Sequence, residues 1–418
     1  MDEDCGDDDE ELRERTKGEN VLKPLSSVVA RTESSQTMVL SALAKKLHAE
    51  GVDVVTLTAG EPDFPTPFHI KEAAKKAIED NRTTYTQNAG IPELRKAIAD
   101  KFEKDNNLHF DPAQILVSNG AKHSLYNSLK AICNGGDEII VPAPYWVSYP
   151  QMVTLVGAIP VIIRTREENE FKLTPDELHR AITSKTKALL FCTPSNPTGS
   201  VYSREELEDL GKVAGEHEIY IISDEIYEKV IYDGARHFSL GSIPAIRDLV
   251  ITVNGLSKGY SMTGWRVGFL GAKPDIVAAA EKIQSQVTSN ASTISQYAAL
   301  AALTGPQDEL RAMTEEFRRR RDFIYGEVRS VPGISCIKPG GAFYVFPNVS
   351  KYFGKAFRGK TMKSGDDIAR FLLDEERIVV VPGSGFGSSD YVRISYACSM
   401  SELEKAAERL RRGFRKLE

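Results

Sequence analysis

Long apolar runs are missing from this 418-residue chain. No stretch of about 18 apolar residues occurs, so no membrane-spanning helix is expected. Cysteine is scarce. Cys5, Cys133, Cys192, Cys336 and Cys398 are far apart, odd in number and in no metal-ligand spacing. That pattern argues against a zinc site or a disulfide framework and suits free thiols in a reducing cytoplasm. No metal is expected. Positive charge has no face of its own. The net charge is −6, and residues 1–20 alone carry ten acids against three bases, leaving the remainder nearly neutral. A nucleic-acid partner, which needs a basic patch, is not expected. Residues 1–20 are expected to be an acidic, disordered tail. The N-terminus has neither the apolar core of a secretory signal nor the Arg-rich, acid-poor look of a transit peptide, so a cytoplasmic protein is expected. A nucleotide held by a GxGxxG turn or a GxxxxGK loop is not expected either.

What is present is an alternation of strands and helices. Strands are predicted over 52–57, 114–118, 138–141, 159–163, 188–192, 220–223, 249–253 and 266–270. Helices lie between many of them, among them 69–81, 92–106, 174–182 with Thr174 as N-cap, and 203–217. The spacing predicts a first helix over 38–49 with Thr37 as its N-cap. Such alternation argues for an α/β fold with a mainly parallel sheet and helices on both faces. Later, helices over 274–286, 292–303 and 307–331 precede strands at 341–346, 378–381 and 392–396 and helices at 365–375 and 400–417. This order suggests a smaller α+β unit. The expected division is an N-terminal segment 21–57 packing with the small unit, a large domain 58–325 and a small domain 326–418. Arg318-Arg-Arg-Arg321, inside the long charged helix, is expected to be a solvated face.

In open α/β sheets ligands bind beyond the carboxyl ends of the strands. Trp146, Asn196, Asp224 and Lys258 all lie just past a predicted strand. Lys258 sits in Val253-Asn-Gly-Leu-Ser-Lys-Gly-Tyr-Ser-Met-Thr-Gly-Trp-Arg-Val-Gly268, among small residues that let a bulky group approach the backbone. A crowded, partly dry lysine loses its proton more readily and can attack a carbonyl. Taken alone, a Ser-Lys-Gly tripeptide is more often an ordinary surface lysine. The turn Asn119-Gly-Ala-Lys122 between a strand and a helix is a weak phosphate-cradle signal.

Pro194-Ser-Asn-Pro-Thr-Gly199, Ser223-Asp-Glu-Ile-Tyr227 and Ser257–Arg266 resemble the signature blocks of class I aminotransferases, fold-type I enzymes that use pyridoxal 5′-phosphate. Ala59-Gly-Glu-Pro-Asp-Phe64, Pro144-Tyr-Trp-Val-Ser-Tyr149 and Val392-Arg-Ile-Ser-Tyr396 resemble the branch of bacterial and plant-type aspartate and glutamate–prephenate aminotransferases. The likeness runs over about residues 25 to 415.

The resemblance implies that Lys258 holds the cofactor as an imine and later carries the substrate proton. Asp224 pairs with the pyridine N–H. Asn196 and Tyr227 bond the ring hydroxyl, and Trp146 stacks on the ring. Arg266 and Ser257, with the N–H groups of Ala121 and Lys122, hold the phosphate. Tyr85 reaches the phosphate of a neighbouring subunit, which implies a homodimer with shared sites. Arg393 forks the substrate α-carboxylate, and Gly60 lies over the substrate. Lys122, Ser35 and Thr37 are the candidates for a distal carboxylate. Glu33 stands where this branch carries a lysine, and a glutamate there opposes a carboxylate. Two readings on the same cofactor follow: an aminotransferase for aspartate or glutamate with a 2-oxo acid acceptor, prephenate among the candidates, or an aminotransferase or β-lyase for aromatic or neutral amino acids. A cofactor-binding DNA regulator is set aside, since the tail is too short for a DNA-binding module.

Overall fold

The computed structural model describes Lys23 and residues 25–417. The acidic segment 1–20, Cys5 included, lies outside the described residues. In chain order the strands that frame the site are β1 (Val55–Thr56), β2 (Ile115–Ser118), β3 (Glu138–Ala143), β4 (Ile159–Arg164), β5 (Thr186–Cys192), β6 (Tyr220–Asp224), β7 (Val250–Gly255) and β8 (Gly268–Gly271). All but β1 form one seven-stranded sheet in the order β2-β8-β7-β6-β5-β3-β4. The pairs from β7 to β4 are parallel, while β8 runs antiparallel to both β2 and β7. A sheet covered on both faces needs apolar side chains on both, and these strands supply them. In β5, Ala188, Leu190 and Cys192 enter one core cluster, while Leu189 and Phe191 enter another on the opposite face. In β2, Leu116 faces one way and Ile115 and Val117 the other.

Beyond that sheet the chain adds β9 (Tyr344–Val345), a small hairpin of β10 (Ala356–Phe357) and β11 (Lys360–Thr361), then β12 (Ile378–Val379), β13 (Val381–Pro382) and β14 (Val392–Ser395). β13, β14 and β9 form an antiparallel sheet, and β1 pairs in parallel with β12. The helix Gln36–Ala49 reaches the same unit, since Ala44 and Val54 share a cluster with Leu373 and Val379. We propose on this basis the division 21–57, 58–325 and 326–418. The helix Asp308–Arg329 carries the last of these boundaries in its final turn.

Several expectations change. The helix expected over 38–49 begins at Gln36, after a short helix at Ser27–Ala30, so Ser35 is its N-cap and Thr37 lies inside the first turn. The Ser35 carbonyl already accepts from the Met38 and Val39 N–H groups, at 3.0 and 3.1 Å. Arg266 is not in a strand. It takes the left-handed conformation (φ 55°, ψ 54°) after a 3₁₀ turn. That backbone conformation takes the residue out of the sheet, and its guanidinium turns back to the Thr263 carbonyl at 2.8 Å. Pro144–Tyr149 is not wholly a loop, because a helix over Ser148–Leu155 starts within it. Nor is Arg318–Arg321 a solvated face. Four consecutive residues sweep about 300° around a helix, so some must face inward. Arg320 and Arg321 are buried. Arg320 pairs with Asp63 at 2.7 Å and Glu316 at 2.9 Å, and Arg321 with Asp233 and Asp322, both at 2.8 Å.

The spacing GxxxxGK[ST] does occur, at Gly354-Lys-Ala-Phe-Arg-Gly-Lys-Thr361. It folds as the β10–β11 hairpin, with Arg358 and Gly359 at positive φ as a two-residue hairpin turn requires. No strand-to-helix turn forms there, so it offers no phosphate cradle. Among the described residues no helix is long and apolar enough to cross a membrane.

Candidate active site

A cavity of about 620 Å³ opens at the carboxyl edge of the parallel strands. Every site residue expected from the sequence lines it except Tyr85. The strand ends explain the convergence. Asp224 is the last residue of β6, Asn196 and Lys258 follow β5 and β7 closely, and Trp146 follows β3. Because β8 is antiparallel, its amino end, with Arg266 before it, meets the same edge.

The turn after β2 is shaped by glycine. Gly120 has φ 86° and ψ 159°, and a Cβ there would strike the Arg266 guanidinium. A Cβ on Gly268 would strike the backbone at Gly120 and Ala121. Ala121 then opens a helix, and its N–H and that of Lys122, at the first two helical positions, have no intrahelical acceptor, whereas the His123 N–H already donates to the Gly120 carbonyl at 2.9 Å. With Ser257 and Arg266 beside them, these donors form a compact anion cradle.

Asp224 is buried at 3% exposure and pairs with no cation within ion-pair distance among the described residues. One carboxylate oxygen accepts from the Tyr149 hydroxyl at 2.7 Å and the other from the Ile226 N–H at 3.2 Å. Burial outweighs these donors and raises the carboxyl to about 6. Lys258 borders the cavity and donates from Nζ to the Gly60 carbonyl. Burial lowers its ammonium to about 8, with Arg266 and Arg393 pushing the same way and Glu61 and Asp224 opposing. A lysine so shifted offers a neutral amine in mildly alkaline solution.

Arg393 stands on β14 with 1% exposure. Its Nη1 donates to Asn196 Oδ1 at 2.9 Å and its Nη2 to the Thr58 carbonyl at 2.8 Å, while Nε is buried without a partner. The guanidinium carbon lies 4.4 Å from the Tyr344 ring centroid and 5.0 Å from that of Phe386. Burial disfavours its charge, so an anion entering the cavity relieves a real cost. The Tyr227 hydroxyl bonds the Tyr344 hydroxyl at 2.7 Å, and burial holds the Tyr227 phenol well above its ordinary range.

On the far wall the Lys122 ammonium lies 4.9 Å from the Trp146 ring centroid. Burial and then Arg266 lower its pKa, and no ion pair engages it among the described residues. Ser35 and Thr37 line this wall together with Ser41, Lys45 and His48 from the same helix. Glu33 is exposed and does not line the cavity; its N–H donates to Gln151 Oε1 at 2.9 Å. Tyr85, 88% exposed, stands on the outer surface.

Residues 52–410 match the family of class I and II aminotransferases. The chain belongs to that family. As an aminotransferase it is 46% identical to the aspartate aminotransferase of Bacillus subtilis over 389 residues, which cover 93% of this chain and 98% of that one. It is also 46% identical to the aspartate/prephenate aminotransferase of Cereibacter sphaeroides, over 92% of this chain and 97% of the relative. Among solved structures, the aspartate aminotransferase of Rhizobium meliloti superposes with a TM-score of 0.92 at 40% identity, covering 95% of this chain and all of that one. The α/β architecture is therefore that of a fold-type I aminotransferase.

Sequence reasoning passed over Tyr149, Tyr344 and Thr58 as site residues. Tyr149 lies three positions after Trp146 in the aromatic run, and that proximity was its only signal. Thr58 acts through its carbonyl, which no side-chain motif reveals.

Proposed function

We propose that this aminotransferase uses pyridoxal 5′-phosphate to move the amino group of aspartate or glutamate to a 2-oxo acid. The observation that carries the reading is one cavity bordered by a lysine lowered to about 8, a buried carboxylate without an ion-pair partner, and a buried arginine with a free donor. These groups fit the cofactor. Asp224 suits a ring N–H, the cradle of Ala121, Lys122, Ser257 and Arg266 suits a phosphate, and the flat face of Trp146 suits an aromatic ring. When bound, the cofactor supplies an aldehyde carbon that captures amines and a cationic ring that withdraws electrons.

The chain's own groups do the rest. Lys258 would hold the cofactor through Nζ, and its amine, neutral in mildly alkaline solution, would take the proton from the substrate Cα. Asp224 keeps the ring nitrogen protonated. Asn196 and Tyr227 donate to the ring oxygen. Arg393 orients the α-carboxylate through its fork, with Gly60 leaving room above the substrate. Lys122, Ser35 and Thr37 receive the distal carboxylate. Because Glu33 does not line the cavity, its charge is no bar to an acidic substrate. Tyr85 serves a neighbouring copy, so the working form is a homodimer with shared sites. The setting is a reducing cytoplasm, in keeping with the four free cysteines among the described residues.

A panel of amino donors and 2-oxo acids, prephenate included, tests this reading. Aspartate and glutamate are expected to convert the absorbance of the bound cofactor, and Lys258→Ala to lose both turnover and the cofactor retained after borohydride reduction. Conversion by phenylalanine or cysteine conjugates but by neither acidic donor overturns the substrate assignment.

A further inference from the structure

A second polar cluster lies directly beneath the cavity floor, and the aminotransferase reading gives it no role. The turn that leaves β6 has two sides. Asp224 and Tyr227 line the cavity. Glu225 and Glu228, one residue on from each, point away from it into a buried network. Glu225 has no exposed surface. Its carboxylate accepts from Ser239 Oγ at 2.6 Å, His237 Nε2 at 2.8 Å and Ser223 Oγ at 3.1 Å. Glu228 pairs with Lys101, which also donates to Asn106 Oδ1 at 2.6 Å. The Asn106 amide closes the network, donating to Glu228 Oε2 and to Ser239 Oγ, both at 2.7 Å.

Two carboxylates are thus held against one lysine and one histidine. Burial alone would strip the His237 proton, but Glu225 beside it outweighs that and raises its pKa. Lys101 and the neighbouring cations hold Glu228 down at about 2 despite burial. With His237 protonated, the charges balance. The carboxylates and the imidazole also have the grouping of a metal site. Lys101 on Glu228 and His237 on Glu225 already engage both acids, so a cation would have to displace them.

We infer that Glu225 and His237 are positioning residues, whose balanced pair fixes the turn that presents Asp224 and Tyr227 to the cofactor. The network ties that turn to the helix Pro92–Asn106 and to the segment at 237–239, so the turn cannot tilt without breaking buried hydrogen bonds. Removing one member leaves a buried charge without its partner, which disturbs a site far more than removing both.

This inference rests on the reading that Asp224 faces the cofactor, and a wild-type protein that fails to bind pyridoxal phosphate would refute that reading first and separately. The test compares Glu225→Gln, His237→Gln, the double variant and Ser239→Ala. Three quantities are read: the dissociation constant of pyridoxal phosphate from the apoenzyme, the pH at which bound-cofactor absorbance titrates, and Tm. Each single charge variant is expected to weaken cofactor binding by about tenfold, equal to about 1.4 kcal/mol, and to shift the absorbance titration, with KM for the amino donor unchanged. The double variant recovers most of the loss. Ser239→Ala, which removes one donor and no charge, moves both cofactor readouts the same way by a smaller factor. Variants that melt lower yet keep wild-type cofactor affinity and titration overturn the inference, leaving the network purely structural. A double variant no better than the singles also overturns it. If the single charge variants do not fold, unchanged cofactor readouts in Ser239→Ala decide against it.

Discussion

Replacing Asp224 by asparagine separates what the carboxylate does for the cofactor from what it costs the fold. The carboxyl is raised from 3.8 to about 6 in the folded chain, chiefly by burial. The folded state therefore holds this proton more tightly than the unfolded state. Stability is lost as pH rises from about 4 to about 6, and above that the folded apoenzyme is short by about 3 kcal/mol, taking about 1.4 kcal/mol per pH unit. Asparagine has no such charge to bury. It also preserves the local bonds, since its carbonyl can accept from the Ile226 N–H and its amide can donate to the Tyr149 hydroxyl. At about 2.1 cal/mol/K per residue, a chain of 418 residues gains about 3 °C in Tm from about 3 kcal/mol. The expected outcome is an apo D224N that melts about 3 °C above the wild-type apoenzyme at pH 8 and no higher than it near pH 4. With pyridoxal phosphate added the gap shrinks to about 2 °C or less, because loss of a charged hydrogen bond to the ring weakens binding by roughly 10- to 100-fold, about 1.4–2.7 kcal/mol. Calorimetry of both forms at two pH values is the assay. An apo D224N that melts at or below wild type at pH 8, or that gains equally at both pH values, refutes the reasoning.

Two further outcomes follow from the same geometry. Arg393→Lys removes the fork bonded to Asn196 and Thr58, and kcat/KM for aspartate should fall roughly 10- to 100-fold, mostly through KM; steady-state kinetics showing less than about a threefold change would remove Arg393 from carboxylate recognition. Gly120→Ala forces a side chain into a backbone at φ 86° and against Arg266. It should cost about 1–3 kcal/mol of stability and raise the cofactor dissociation constant by about tenfold, measured by thermal melts and fluorescence titration, whereas unchanged affinity would place the phosphate elsewhere.

The cavity residues that proved legible were those whose place follows from position along a strand. Asp224, Asn196, Trp146 and Lys258 were found because strand ends converge in a parallel sheet and each sits in a long motif. Arg393 was readable only by resemblance, since its partners Thr58 and Asn196 lie 335 and 197 residues away in sequence. The long helix was located well but its arginines were misjudged, because charge alone does not say that Asp63 and Asp233 wait across the fold. The Glu225 network was invisible for the same reason. His237 and Lys101 carry no motif, and only the folded chain brings them to one turn. The helix expected from Met38 begins at Gln36 because Ser35, two residues before the expected cap, already supplies the first carbonyl.

The bond from Arg393 to the Thr58 carbonyl has a consequence for synthesis. The Arg393 side of the cavity needs two stretches of chain 335 residues apart. At about 5–20 residues per second, a ribosome takes on the order of 20–70 s to make that interval. β1 is translated early, yet its partner β12 emerges only near the end. During that time β1 is an unpaired edge, open to wrong partners. A nascent chain can build most of the seven-stranded sheet, but it cannot complete a working pocket until translation is nearly finished. The cavity wall that Arg393 supplies is thus withheld from every incomplete product of this message.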